Sequence, residues 1–167
     1  MKQVSKRTVI ITAAAAVLLC AIIAGVIFMF FGRNLGNKPE PIGEITQFES
    51  LTLHISGMRG SEEYEIIADG GTAQIAHYQI RYGGEGENRE LLQSAECDTQ
   101  EVIDILNECK AGKWNGFHGA HPKGVLDGTM FNLTASVNGG KKLKASGSQN
   151  FPKNYGTFTQ WLHDKLA

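Results

Sequence analysis

The sequence predicts an α+β protein in which an N-terminal transmembrane helix is followed by an antiparallel sheet, a meander of about four strands and then a hairpin, with two helices packed on one face. Three observations predict it. Residues Val9–Phe31 form an unbroken apolar run. Between Leu51 and Ala95, short stretches alternate apolar and polar residues and are separated by glycine-rich turns. Two later stretches, about 99–110 and 154–166, repeat apolar residues with helical spacing and flank a second alternating pair.

The run VIITAAAAVLLCAIIAGVIFMFF has Thr12 as its only clearly polar residue. As a helix it would be about 35 Å long, enough to cross a hydrocarbon core of about 30 Å with some tilt. Lys2, Lys6 and Arg7 precede it, while Arg33 and Lys38 on the other flank are diluted by Glu40 and Glu44. Positive charge stays on the cytoplasmic side, which places the N-terminus inside and the remainder outside. A cleaved signal peptide would have a shorter apolar region and a small-x-small site, and the exit through Phe28, Met29, Phe30 and Phe31 has none. Lipidation at Cys20 would expect a small residue before it, where Leu19 stands, and would leave an apolar stub. The expected organisation is a basic cytoplasmic segment at 1–8, a signal-anchor helix at 9–31, a linker at 32–44 and an extracytoplasmic domain at 45–167. That makes a single-pass protein of the cell membrane.

Charge is uneven along the chain. Residues 32–108 carry five basic and fifteen acidic residues, whereas 109–167 carry eight basic and two acidic. Interleaving of the two halves in one sheet would cancel this difference. Otherwise Lys141, Lys142, Lys144 and Lys153 form a basic face suited to anionic headgroups or cell-wall polymers. Nucleic acid is excluded as a partner, because the exported part is net acidic and holds no nucleic-acid motif.

Leu51, Leu53 and Ile55 alternate with polar residues as a half-buried first strand, broken by Gly57–Gly60. A second strand near Tyr64–Ala68 ends at the tight turn Asp69-Gly70-Gly71. A third, Thr72–Tyr82, slips in its alternation between Ile75 and Tyr78, the sign of a bulge. After GGEGEN, Arg89–Ala95 is the fourth. Asp98 or Thr99 caps a helix over 99–110, with Val102, Ile105, Leu106 and Cys109 on one face and Ala111-Gly112 ending it. Phe131, Leu133, Ala135 and Val137 open a hairpin that turns at Asn138-Gly139 and returns along Lys141–Ser146. Tyr155, Phe158, Trp161, Leu162 and Leu166 stripe the last helix. Cys97 and Cys109 bracket the first helix. Twelve helical residues hold their Cα atoms about 18 Å apart, and a disulfide needs less than about 7 Å, so they do not pair.

The loop KWNGFHGAHPKGVLDG, residues 113–128, is the candidate site. A loop of about 15 residues in a compact domain is often functional, and it holds Trp114, Phe117, His118, His121 and Asp127. Two histidines and a carboxylate suit zinc ligation or acid–base work. Yet His118 and His121 stand in a glycine-rich loop with no glutamate between them and no third ligand at a recognisable spacing. In the competing reading the loop wraps the sheet edge, with Trp114 and Phe117 as core anchors. No G-x-S-x-G elbow, dinucleotide loop or P-loop is present, and no cofactor is implied.

The stretch 114–162 joins a tryptophan loop through Asp127-Gly128 to a hairpin. It continues through Gly147-Ser148-Gln149-Asn150-Phe151-Pro152 into an aromatic-rich helix. In this it resembles uncharacterised exported bacterial domains of unknown function. The resemblance implies a bacterial, exported protein and no particular activity. The expected function is a membrane-anchored extracytoplasmic binding domain whose partner is a protein or an envelope polymer. The alternative is a metal-binding domain or metal-assisted hydrolase using His118, His121 and Asp127.

Overall fold

The computed structural model describes residues 39–58, 60–83 and 86–167, with the backbone alone at 82–83 and 86–87. Strands β1 (Phe48–Gly57), β2 (Gly60–Asp69), β3 (Thr72–Gly83) and β4 (Gly86–Asp98) form the expected meander. Helix α1 (Thr99–Glu108), a 3-10 turn at Ala111–Trp114 and the short strand β5 (Phe117–Gly119) follow. Strands β6 (Met130–Val137) and β7 (Lys141–Ser148) form the hairpin, and helix α2 (Tyr155–Leu166) closes the chain.

Two expectations are corrected. All the strands lie in one seven-stranded sheet of order β4-β3-β2-β1-β6-β7-β5. That sheet is mixed, because β5 runs parallel to β7 through Phe117↔Ala145, His118↔Ser146 and Gly119↔Gly147. Part of the loop expected over 113–128 is therefore a 3-10 turn and an edge strand. Nor does the described fold begin with a transmembrane helix: among the described residues no helix is long and apolar enough to cross a membrane. The signal-anchor and single-pass reading draws no support from them, and the run 9–31 that prompted it lies outside the described residues.

Period-two alternation builds one buried sheet face. Leu51 and Leu53 of β1, Tyr64 and Ile66 of β2, Ala73 and Ile75 of β3, and Leu133, Ala135 and Val137 of β6 are all buried. On them pack Val102, Ile105 and Leu106 of α1, and Phe158, Leu162 and Leu166 of α2. Asp98 caps α1 by accepting from the Gln100 amide at 2.7 Å. Cys97 and Cys109 are free, buried thiols, and burial pushes the Cys109 thiol up to about 11. The alternation slip in β3 has its counterpart in β4. His77 pairs with Gln93 and Tyr78 with Leu91, so Leu92 is the extra residue of a bulge.

The segment ahead of β1 is fastened by side chains that stand in for backbone. Asn107 grips Ile45 twice, accepting from its amide at 2.9 Å and donating to its carbonyl at 2.7 Å. Asn138, left-handed at φ 51 in the hairpin turn, accepts from the Thr46 and Gln47 amides and donates to the Glu44 carbonyl. Asn115 donates to the Glu40 carbonyl. The Ile42 amide donates to the Gly112 carbonyl at 2.9 Å. Gly112 is needed for this approach rather than for a turn, since a Cβ there would lie 2.2 Å from the Ile42 oxygen. Glu49, at the register shift of β1, accepts from the Gly139 and Gly140 amides and the Ser136 hydroxyl.

Two outcomes follow from this fastening. Gly112→Ala should destabilise the domain by about 2 kcal/mol or more, as a steric clash with buried backbone does. It should also open residues 40–46 to proteolysis, while Gly43→Ala, with nothing near its Cβ position, should do neither. The hydrogen bonds to Glu49, led by the Ser136 hydroxyl, hold its carboxyl below the ordinary 4.5. Its contribution is thus complete above that value and disappears as pH falls through the lower folded-state value. Urea midpoints of Glu49→Gln and wild type should therefore differ at pH 7 and converge at the acid end.

Candidate functional site

Residues singled out from the sequence separate into two groups. Trp114 is 3% exposed, donates from Nε1 to the Lys153 carbonyl at 3.0 Å and packs edge-on against Phe158. Phe117 packs against the core, its ring 6.3 Å from that of Phe131. Both anchor the segment. His118, His121 and Asp127 stay at the surface, at the end of the sheet where the β1–β2 turn, the 120–129 loop, the start of β6 and the end of β7 meet.

His121 is held at both nitrogens. Its Nε2 lies 2.7 Å from the Val125 carbonyl and its Nδ1 2.7 Å from Ser148 Oγ. A carbonyl only accepts, so Nε2 carries a proton, and in the neutral ring Nδ1 accepts from the Ser148 hydroxyl. The ring lies against Gly128, where a Cβ would come within 2.9 Å of His121 Cε1 and 2.7 Å of Gln149 Cγ. The imidazole thereby staples the loop 120–128 to the end of β7. His118, projecting from β5, pairs through Nδ1 with Ser146 Oγ at 3.1 Å. His118 and His121 share one shallow depression, His121 and Asp127 share a neighbouring one, and Asp127 also lines a larger cleft. Among the described residues no three His, Cys, Asp or Glu side chains are grouped to hold a metal ion.

That cleft has a volume of about 490 Å³ and lies between the β1–β2 turn and residues 127–129, with Ile55, Glu62, Gln79 and Gln149 in its walls. Glu62 is the unusual member. Strand alternation puts it on the same face as Tyr64 and Ile66, pairing with Ile55 on one side and Gln79 on the other. Its carboxylate is 3.0 Å from His77 Nε2 and accepts from the Tyr64 hydroxyl at 3.5 Å. His77 stacks on Tyr64 at 4.3 Å between centroids. Burial first, then the Glu62 charge, pushes the Tyr64 hydroxyl up to about 12, so it remains a donor. The buried Tyr155 hydroxyl has no hydrogen-bond partner. Burial first, then Glu62 and Tyr64, pushes this hydroxyl above its ordinary value, and its ring packs against Phe131 and Phe151. From Glu62 the wall of the cleft continues through His77 and Tyr64 to His163 of α2, whose ring lies 5.9 Å from that of Tyr64.

Apolar side chains stand exposed around the rim. Met58 in the β1–β2 turn is 79% exposed, Leu126 in the loop 96% and Met130 at the start of β6 51%. All three line one depression with His121 and Ser148. His121 and Asp127 are legible in the sequence as site residues, whereas Met58, Met130 and Glu62 join them only in the folded chain. A charged residue on the strand face 62–64–66 was the legible signal for Glu62. The two methionines lie apart in sequence and carry none.

Comparison of the chain with protein-family models, with curated proteins and with solved structures gives no match in any of the three.

If His121 is the staple, His121→Ala should free the loop without unfolding the domain. Limited trypsin cleavage after Lys123 is expected to accelerate severalfold while the global melting temperature moves by no more than a few degrees. Unchanged cleavage would show that the loop is held by other contacts.

Proposed function

We propose that this chain is a membrane-associated, extracytoplasmic binding domain that engages a protein or cell-envelope polymer at the end of the sheet formed by the β1–β2 turn, the 120–130 segment and the end of β7. The observation that carries this reading is the cluster Met58, Leu126 and Met130, standing exposed beside a polar cleft. Large apolar side chains grouped in water are characteristic of interaction sites, and apolar anchors next to hydrogen-bonding walls supply both affinity and orientation. The stapled His121 supports it as well, because a loop ordered in advance loses less entropy on binding. The membrane and extracytoplasmic parts of the reading draw on the apolar run 9–31 and its flanking charges.

The test places a photo-crosslinking residue at Leu126 of the full chain, and in a second version at Gln74, which is exposed on the other face of β3. A discrete adduct from position 126 alone is expected. Leu126→Ser with Met130→Ser should weaken that adduct about tenfold or more, since two apolar side chains of this size contribute on the order of 1–2 kcal/mol each when buried. The melting temperature should barely change. Equal adducts from both positions, or none from 126, would remove the binding end from this place.

A further inference from the structure

Strand order decides where the charge goes. Residues 39–108 supply β1 to β4 and α1, and carry fifteen acidic against three basic residues. Residues 109–167 supply β5 to β7 and α2, and carry eight basic against two acidic. In the sheet the strands of the first half lie on one side and those of the second half on the other, with β1 against β6 as the single seam. The strands of the two halves do not interleave, so the asymmetry persists across the sheet, although Glu40, Glu44 and Glu49 reach the turns of the second half and the end of α2 reaches β4 and α1.

Ion pairing follows the same division. Every ion pair among the described residues uses a carboxylate of the first half: Glu62, Glu63, Glu65, Glu90 or Glu101. Of the second-half lysines only Lys165 is paired, reaching across to Glu101. Lys110, Lys113, Lys141, Lys142, Lys144 and Lys153 are exposed and have no ion-pair partner among the described residues. Lys141, Lys142 and Lys144 lie on β7, and Lys110, Lys113 and Lys153 on segments tied toward it through the backbone. Lys142 and Lys144 flank the buried Leu143 on the strand, so they project to the helix-free face. The Lys144 amide donates to Asn115, and its carbonyl accepts from Gly116. That ties the strand to the turn carrying Lys113, whose own amide donates to the Lys110 carbonyl. Trp114 of the same turn holds the Lys153 carbonyl.

The chain joins the domain at this edge. Asn115 also holds the Glu40 carbonyl, and the Pro39 ring sits where a Cβ on Gly116 would be, 2.7 Å away at its nearest atom. Residues 32–38 alone separate Phe31 from Pro39, and so short a stretch spans less than about 30 Å even when fully extended.

We propose that the lysine edge rests on a bilayer of anionic lipids, which orients the domain with β7 toward the headgroups and β4 away from them. This deepens the membrane-associated reading above and rests on it. Attraction between lysines and an anionic surface adds residue by residue and decays within a Debye length, so it is sensitive to salt.

The test uses the full chain incorporated into vesicles of phosphatidylcholine alone, or of phosphatidylcholine with phosphatidylglycerol at roughly 7:3. A brief pulse of amine acetylation is read lysine by lysine by mass spectrometry. Lys113, Lys142 and Lys144 should react about threefold or more slowly on the anionic vesicles, with the difference gone at about 0.5 M salt. Lys165, on the acidic side, should be unchanged. Lys142→Gln with Lys144→Gln should restore the reactivity of Lys113 while the chain stays with the vesicles. Equal rates on both lipids, or slowing at every lysine including Lys165, would overturn the proposal. So would protection by added soluble polyphosphate without protection by the anionic vesicles, which would point to a polymer. Failure of the chain to associate with either vesicle would instead remove the membrane reading, and this proposal with it.

Discussion

Strand β1 is hydrogen-bonded along both edges, to β2 from Ser50 to Gly57 and to β6 from Phe48 to Ser56, and the rest of the domain depends on that double pairing. Among the described residues it is the only ladder that joins the N-terminal meander to the C-terminal hairpin. Leu51 and Leu53 lie between Ile66 and Tyr64 on one side and Ala135 and Leu133 on the other, so one continuous apolar face exists for α1 and α2 to cover. Burying such leucines contributes roughly 2 kcal/mol each. The register matters more than the sum, because a slip by one residue would turn every one of them to solvent. Glu49 and Asn138 act at the seam. One cradles the amides of the hairpin turn and the other grips the chain just before β1, and together they fix where the two strands begin to pair.

What the sequence reveals of this fold is what local chemistry decides. Leu51, Leu53 and Ile55 announce a strand, Asn138-Gly139 announces a hairpin turn with both residues at positive φ, and Asp98 announces the helix it caps. Strand β5 is illegible for a physical reason. Its three residues have no alternation to read, and they pair only because Asn115 and Gly116 bring them alongside β7. That remote contact is what makes the sheet mixed. The glycines mislead similarly. Gly112, Gly119 and Gly128 look like breakers or turn residues, yet each is required by the approach of a distant atom, from Ile42, Asn150 and Gln149 respectively. Of the site, the loop itself was visible through His121 and Asp127. Its partners from β1, β2 and β6 arrive only through the topology.

Three properties of the molecule are separated in space by the strand order. Met58, Leu126 and Met130 stand exposed at the end of the sheet beyond β1, lysines without an ion-pair partner among the described residues lie on β7 and the turns tied to it, and the paired carboxylates of β2 and β4 share their side with the exposed Ile67, Leu91 and Leu92. On that acidic side Arg89 alone contacts Glu63 at 2.7 Å and Glu65 at 3.1 Å, and lies 3.6 Å above the Tyr78 ring. The excess negative charge there is partly neutralised within the sheet, while Lys141, Lys142 and Lys144 on the opposite side form no ion pair among the described residues. The long open edge of β4 is interrupted by the Leu92 bulge, a device that discourages another strand from adding there.

The fastening of residues 40–47 also decides how the domain bears load. Tension on the chain ahead of Pro39 first meets the Asn115, Gly112, Asn107 and Asn138 contacts, which follow one another along the segment. Arranged in series, they yield one at a time, like a peeled seam. Beyond them the pull reaches β1 along its own axis, where two ladders oppose it side by side and must shear together. Resistance to forced opening is set by the rate of crossing such a barrier. The domain thus has a compliant leader of a few residues in front of a stiff central strand, so small forces extend the leader and leave the cleft and its rim in place.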